Sequence, residues 1–599
     1  MKKSSHSVIK RCLTFLFCVC LIISTFASCN HTHSFTDYTD QLFREEVTAN
    51  TLNLHYTLED PAAYGIKHYD ISLGDFSKEA RQQSKEHIIE QKEQLSEFPY
   101  FNLTTEERLT FDILWDYLST QEALAEYDLY QEPLSYSGGL QMELPILFAE
   151  YEFQDKQDVK EYLELIALTD EYFTQIMDFE KEKSDAGLFM SDTLCQAVIE
   201  SCYAFLENKE NHYLISTFEK RLEKLGLSDK EIASYMVKNK KILNEQLFPA
   251  YEDMIAKLRL LQNTGVNDGG LCHLENGRDY YALLVNQETG CEDSVDEIFR
   301  RIELQRIEDL LLCTSLQEEN AALSEACSTL EWKLENPKSA LQELQQDILT
   351  DFPTPPNATC EINYVDSALE DYLAPAFYIV APLDNYEENV IYINEGHVDD
   401  DLYAFTTLAH EGYPGHLYQT VMSYAYEMPA VRSILNYSGY VEGWATYIEM
   451  MSYAYADIDE DVAAFLSHNQ SATLSLYASS DIGLHYYGWT SEDMYAFWGG
   501  FGITNTSVID EITQLILSEP GNYLKYYVGY IEFLELRNYA ENMLGSTFNL
   551  KDFHRTVLDI GPAPFAILEK YLESYYSGDA SVSGSSSENN SFHTLSNTN

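Results

Sequence analysis

Apolar residues recur at helical spacing along most of the chain. Leu109, Phe111, Leu114 and Leu118 form one such set, and Ile166, Leu168, Tyr172, Ile176 and Phe179 another. Charged residues fill the opposite faces. With proline and glycine sparse and no repeat of fixed period, this predicts helices from Tyr38 to about Gln262. Ser228 followed three residues later by Glu231 marks one helix start. Residues 263–270 read as a loop, and Asn276–Tyr281 opens another helix. Asp293–Glu335 reads as one long helix or two abutting ones, amphipathic on a helical body rather than a coiled coil. The pattern then changes. Residues 360–366, 376–382 and 389–394 are short, β-branched and aromatic, separated by turn residues such as Pro382–Asn385, and predict a small sheet. Helical spacing returns from Asp399, continues over Tyr440–Tyr455 and runs from Asp461 to Tyr575. Residues 577–599 are rich in Ser, Asn and Gly and are expected to be disordered. The fold class is therefore mainly α, with an N-terminal helical region over 38–355 and a second region over 356–576 that carries the sheet.

Composition narrows the function. With 599 residues, 45% of them apolar, the chain can bury a large core. A net charge of -61 argues against nucleic acid, whose phosphates require clustered Lys and Arg, and against anionic membrane surfaces. The plainest role of that charge is a solubilising surface.

The N-terminus carries Lys2, Lys3, Lys10 and Arg11 and then a mostly apolar run from Cys12 to Phe26. It reads as an export signal over 1–28. Phe26-Ala27-Ser28-Cys29 resembles a bacterial lipobox, with Phe26 where leucine is usual. Cys29 would be lipidated, giving a cell-surface lipoprotein whose membrane contact is the N-terminal lipid alone; the alternative is an ordinary signal peptide and a secreted protein. Seven cysteines remain after Cys29: Cys195, Cys202, Cys272, Cys291, Cys313, Cys327 and Cys360. The number is odd and no CxxC pair occurs. Cys272 and Cys291 bracket one segment and are the candidates for a disulfide.

The chemistry concentrates in His410-Glu411-Gly412-Tyr413-Pro414-Gly415-His416. A zincin places its histidines at i and i+4, on one helix face beside the glutamate. Here the second lies at i+6, which on a straight helix leaves the imidazoles roughly 120° apart. Pro414 breaks the helical hydrogen bonding and Gly415 tolerates distorted backbone. If two residues loop out, His416 returns to the effective i+4 position; otherwise the motif is an accident of composition. His410 and His416 would then be metal ligands, Glu442 a third ligand and Glu411 the general base. Glu449 lies seven residues past Glu442, on the same helix face, and could orient a ligand imidazole. The 390–394 strand ends at Asn394 just before the motif. By analogy with zinc peptidases, an edge strand here would hold extended substrate by main-chain pairing.

His410–Gln419 resembles the His-Glu-x-x-Pro-Gly-His-x-x-Gln signature of the bacterial family called domain of unknown function 885. Glu442–Tyr447 resembles its Glu-Gly-Trp-Ala segment. Tyr526–Gly529 with Leu536-Arg537 is similar to its Tyr-x-x-Gly and Leu-Arg elements, and Phe553–Leu558 with Gly561–Pro564 to its closing signature. The resemblance spans roughly residues 40 to 575. It implies a mostly helical, zincin-like metallopeptidase body with a small sheet beside the active-site helix, often exported as a lipoprotein. It also implies one zinc ion and a peptide substrate. Tyr526 would stabilise the oxyanion, His554 would serve similarly, and Arg537 would bind a substrate carboxylate. The alternatives are a non-catalytic binding lipoprotein on this scaffold and a zinc hydrolase of another amide or ester bond.

Overall fold

A computed structural model describes residues 34–578, apart from 137, 366–369, 371–373, 398–400, 427 and the side chain of His397. The signal segment, Cys29 and the 579–599 tail lie outside the described residues.

The chain is mainly helical, with one three-stranded sheet. Many of the helices begin where a side chain can take up their unpaired N–H groups. Ser228 caps Asp229–Ile242 in a reciprocal box with Glu231, and Asp155 does the same with Asp158 for the 31-residue helix Lys156–Ala186. That long helix buries Tyr162, Ile166, Phe173 and Ile176 in a core shared with Phe148, Val198, Phe218 and Leu258. Within 293–335 the chain forms two helices, Val295–Glu319 and the short Leu323–Ser328, and residues 329–335 are not helical. A second, larger core joins Tyr281, Ile298 and Phe352 to Ile391, Leu408, Leu417, Tyr447, Leu536 and Val557. Residues on both sides of position 355 thus pack into one interior.

All seven described cysteines are free, including Cys272 and Cys291, so the expected pair does not form. The 13-residue helix Gly277–Thr289 stands between them. At ~1.5 Å per residue it spans ~20 Å, far beyond the reach of a disulfide.

The strands are β1 (Thr359–Tyr364), β2 (Ala376–Ile379) and β3 (Glu388–Ile393), in the order β1-β3-β2. β3 pairs parallel with β1 and antiparallel with β2. The expectation of an edge strand at 390–394 is therefore corrected. β3 lies in the middle of the sheet, with Asn389, Ile391 and Ile393 turned inward. β2 is the edge strand that runs beside the motif helix.

Four helices frame the motif: Asp401–Glu411, His416–Ala425, Ser438–Ser452 and Asn522–Leu544. The last two cross in backbone contact. A Cβ added to Gly443 would stand 2.5 Å from Gly529 Cα, and one added to Gly529 would strike the Gly439 carbonyl. Only glycine permits this approach.

Candidate metal centre

The motif helix stops at Glu411 and the next begins at His416. Across the break, Gly415 N–H donates to Ala409 O (3.0 Å) and Tyr418 N–H to Gly412 O (3.1 Å). Each bond spans six residues where an α-helix spans four, so two extra residues are accommodated. Ordinary pairing resumes with Gln419 N–H to Gly415 O at 2.8 Å. Any side chain at Gly415 would run into the His410 carbonyl. The Tyr413–Pro414 peptide is cis, and Trp444 Nε1–H donates to the Pro414 carbonyl at 2.9 Å. The helix that carries Glu442 therefore also holds the break in place.

The two imidazoles consequently meet, with ring centroids 4.8 Å apart and planes at 87°. Glu442 Oε2 lies 3.3 Å from His416 Nε2 and 3.7 Å from His410 Nε2. It is buried and accepts no well-aligned hydrogen bond. Ligand atoms ~2.0–2.1 Å from a tetrahedral zinc stand ~3.3 Å from one another. The spacing and the missing hydrogen bonds fit a set of atoms gathered around a cation. Burial raises the Glu442 carboxyl, but the His416 and His410 rings, with Lys525 adding to them, outweigh it and hold the carboxyl below the ordinary range.

His410, Glu411 and His416 also bring ligand atoms within 4.8 Å of one another, so Glu411 is the rival third ligand. Its position favours another role. Glu411 Oε2 accepts the Tyr378 N–H of β2 at 3.0 Å, and its Oε1 lies 3.9 Å from His410 Nε2. Glu442 is the closer of the two to His410 and lies 3.3 Å from His416. Behind the cluster, Glu449 Oε2 sits 3.3 Å from His410 Nδ1, and Gln470 Nε2–H donates to Glu449 Oε1 at 3.4 Å. The first contact places a fully buried carboxylate directly behind the His410 ring.

The remaining candidates are placed differently. Tyr526 is buried on the Asn522–Leu544 helix, one turn before the Gly529 crossing, and Lys525 Nζ lies 5.4 Å from its ring. His554 has both ring nitrogens engaged, Nδ1 with Asp351 O at 2.7 Å and Nε2 with the Tyr447 hydroxyl at 3.0 Å. It stacks on Phe352 at 4.1 Å. Burial pushes it down to about 3, the Asp351 carbonyl opposing and Arg537 assisting, so it is neutral at ordinary pH. Arg537 pairs with Glu541 at 2.9 Å and reaches the Tyr447 hydroxyl at 3.4 Å. Asn394 is buried, donating to Glu370 O (2.8 Å) and accepting from Gly396 N–H (3.2 Å). These bonds tie it into the turn after β3.

The sequence pattern carries no role for Tyr378 or Lys525, and the one signal for Trp444 is its place beside Glu442 in Glu-Gly-Trp-Ala.

Residues 60–572 match the family described as bacterial protein of unknown function, DUF885. No functionally curated protein matches the chain. Among solved structures, a protein from Colwellia psychrerythraea described as a lipoprotein superposes with a TM-score of 0.80 at 17% identity, over 91% of this chain and 100% of that one. A protein from Shewanella oneidensis, described as a lipoprotein of unknown function, gives 0.63 at 16% identity, over 90% and 100%. At such identities the likeness concerns the fold.

Proposed function

The chain belongs to the DUF885 family, and from that premise we propose that it is an exported zinc metallopeptidase acting on peptides. One observation carries the reading: His410, His416 and Glu442 converge at zinc-like separations, without hydrogen bonds to Glu442 Oε2, beside a positioned Glu411. His410 Nε2, His416 Nε2 and Glu442 Oε2 would hold the ion. When bound, zinc supplies Lewis acidity and lowers the pKa of water toward ~7. Glu411, held at Oε2 by the Tyr378 amide, would accept the water proton and return it to the leaving amine. Glu449 keeps His410 in register, and Tyr526 would donate its hydroxyl to the developing oxyanion. The β2 edge beside Glu411 supports a peptide substrate, since an extended chain can pair with an edge strand.

No described helix is long and apolar enough to cross a membrane. Anchoring through a lipid on Cys29 fits the N-terminal sequence and the description of both structural neighbours.

The test is zinc content by elemental mass spectrometry together with hydrolysis of a peptide library. Wild type is expected to hold one zinc per chain and to cleave. Glu411→Gln should keep the zinc and lose turnover by more than ~10³-fold, while His416→Ala should lose the zinc. A wild type without stoichiometric zinc, or an active Glu411→Gln, refutes the assignment.

A further inference from the structure

The described chain begins at Ser34, which caps the helix Phe35–Thr48 through a reciprocal pair of bonds with Asp37. Cys29 precedes Ser34 by five residues, a tether of at most ~18 Å. A lipid on Cys29 would therefore hold this corner of the protein against the bilayer.

That corner is aromatic. The Phe35 ring lies 5.3 Å from Phe98 and 6.4 Å from Phe111. Phe111 stacks on Trp115 at 6.1 Å and meets Tyr100 edge-on at 5.3 Å. Tyr100 in turn meets Phe101 at 5.8 Å. The rings thus run without a gap from the first helix out to Phe101, which is 87% exposed, and Trp115, the most exposed of the tryptophans at 39%. Lys92 lies over Trp115, and Arg108 and Lys570 lie over Tyr100. Lys92 and Lys570 also pair with Glu122 and Asp112. Exposed Phe and Trp with neighbouring long cations match the chemistry of a membrane–water interface, where rings enter the headgroup layer and charged tips stay wet. The -61 charge gives no attraction to an anionic surface, so contact here would depend on apolar insertion.

We propose that the face formed by Phe101, Trp115, Phe111 and Tyr100 docks on the lipid bilayer, so that the protein is oriented on the membrane and does not simply swing from its lipid. The inference rests on the Cys29 anchor proposed above, and two readouts separate them. Mass analysis of the N-terminal peptide from full chain made with its own leader reports the anchor. For the face, the chain from residue 30 with an N-terminal histidine tag is tethered to nickel-chelating lipid in phosphatidylcholine vesicles with brominated acyl chains. Part of the tryptophan emission should be quenched. Trp115→Phe should abolish that quenching, and Phe101→Glu, on a nearly fully exposed side chain, should at least halve it. Equal emission in brominated and plain vesicles overturns the docking face, whatever Cys29 carries. An unlipidated Cys29 overturns the anchor, while quenching on the nickel tether would still support the face.

Discussion

Two buried histidine clusters flank the helix Ser438–Ser452, and they are built on opposite principles. Around His554 the polar groups form a closed chain. The Asp351 carbonyl takes the Nδ1 proton, so Nε2 accepts from Tyr447, whose oxygen accepts from Arg537, which is paired with Glu541. Around His410 and His416 the chain is open. Glu442 Oε2 faces two imidazoles at 3.3 and 3.7 Å and accepts from neither. Burying such an atom without a partner costs ~1–3 kcal/mol or more. The closed cluster satisfies its own polar groups, whereas the open one has the donor set that the proposed zinc would complete. Both clusters centre on buried histidines; the pairing of their lone pairs is what differs.

The comparison can be broken at several points. After Glu411→Gln, the largest effect is expected from Tyr526→Phe. If its hydroxyl serves the open cluster, kcat should fall ~10²–10³-fold with zinc content unchanged, in steady-state assays of the zinc-loaded protein. Unchanged kcat would return Tyr526 to the core. Glu449→Gln keeps the size of the side chain but removes the charge behind His410. Zinc affinity, measured by competition with a chelator, should drop ~10–100-fold, and an unaltered affinity would detach Glu449 from the site. His554→Phe addresses the closed cluster. It strands the Tyr447 hydroxyl and the Asp351 carbonyl, so urea unfolding should show a loss of ~2–4 kcal/mol, with zinc stoichiometry intact. A variant of full stability and no activity would instead place His554 in the chemistry.

Much of this was legible in the chain because it depends on local pattern. The three strands and the helix break lie where the β-branched and aromatic runs and the Pro-Gly step put them. Glu442 and Glu449 share a face because seven residues make two helical turns. What escaped depends on long-range packing. Strand order is not encoded in any one strand, and β3 lies at the centre of the sheet where the analogy with zinc peptidases predicts an edge. Trp444 reaches back thirty residues to the Pro414 carbonyl. The Gly439, Gly443 and Gly529 crossing joins segments far apart in the chain. The Cys272–Cys291 pairing failed because a stiff helix, not a flexible loop, fills the interval.

The tight fit at Gly415 has a consequence for mutational tolerance. In saturation mutagenesis of residues 410–419, a position that offers no side-chain atom should score like a metal ligand. Even Gly415→Ala would push the His410 carbonyl aside and carry His416 away from its partners. Intolerance to change would then mark the hinge of the site as sharply as its chemistry.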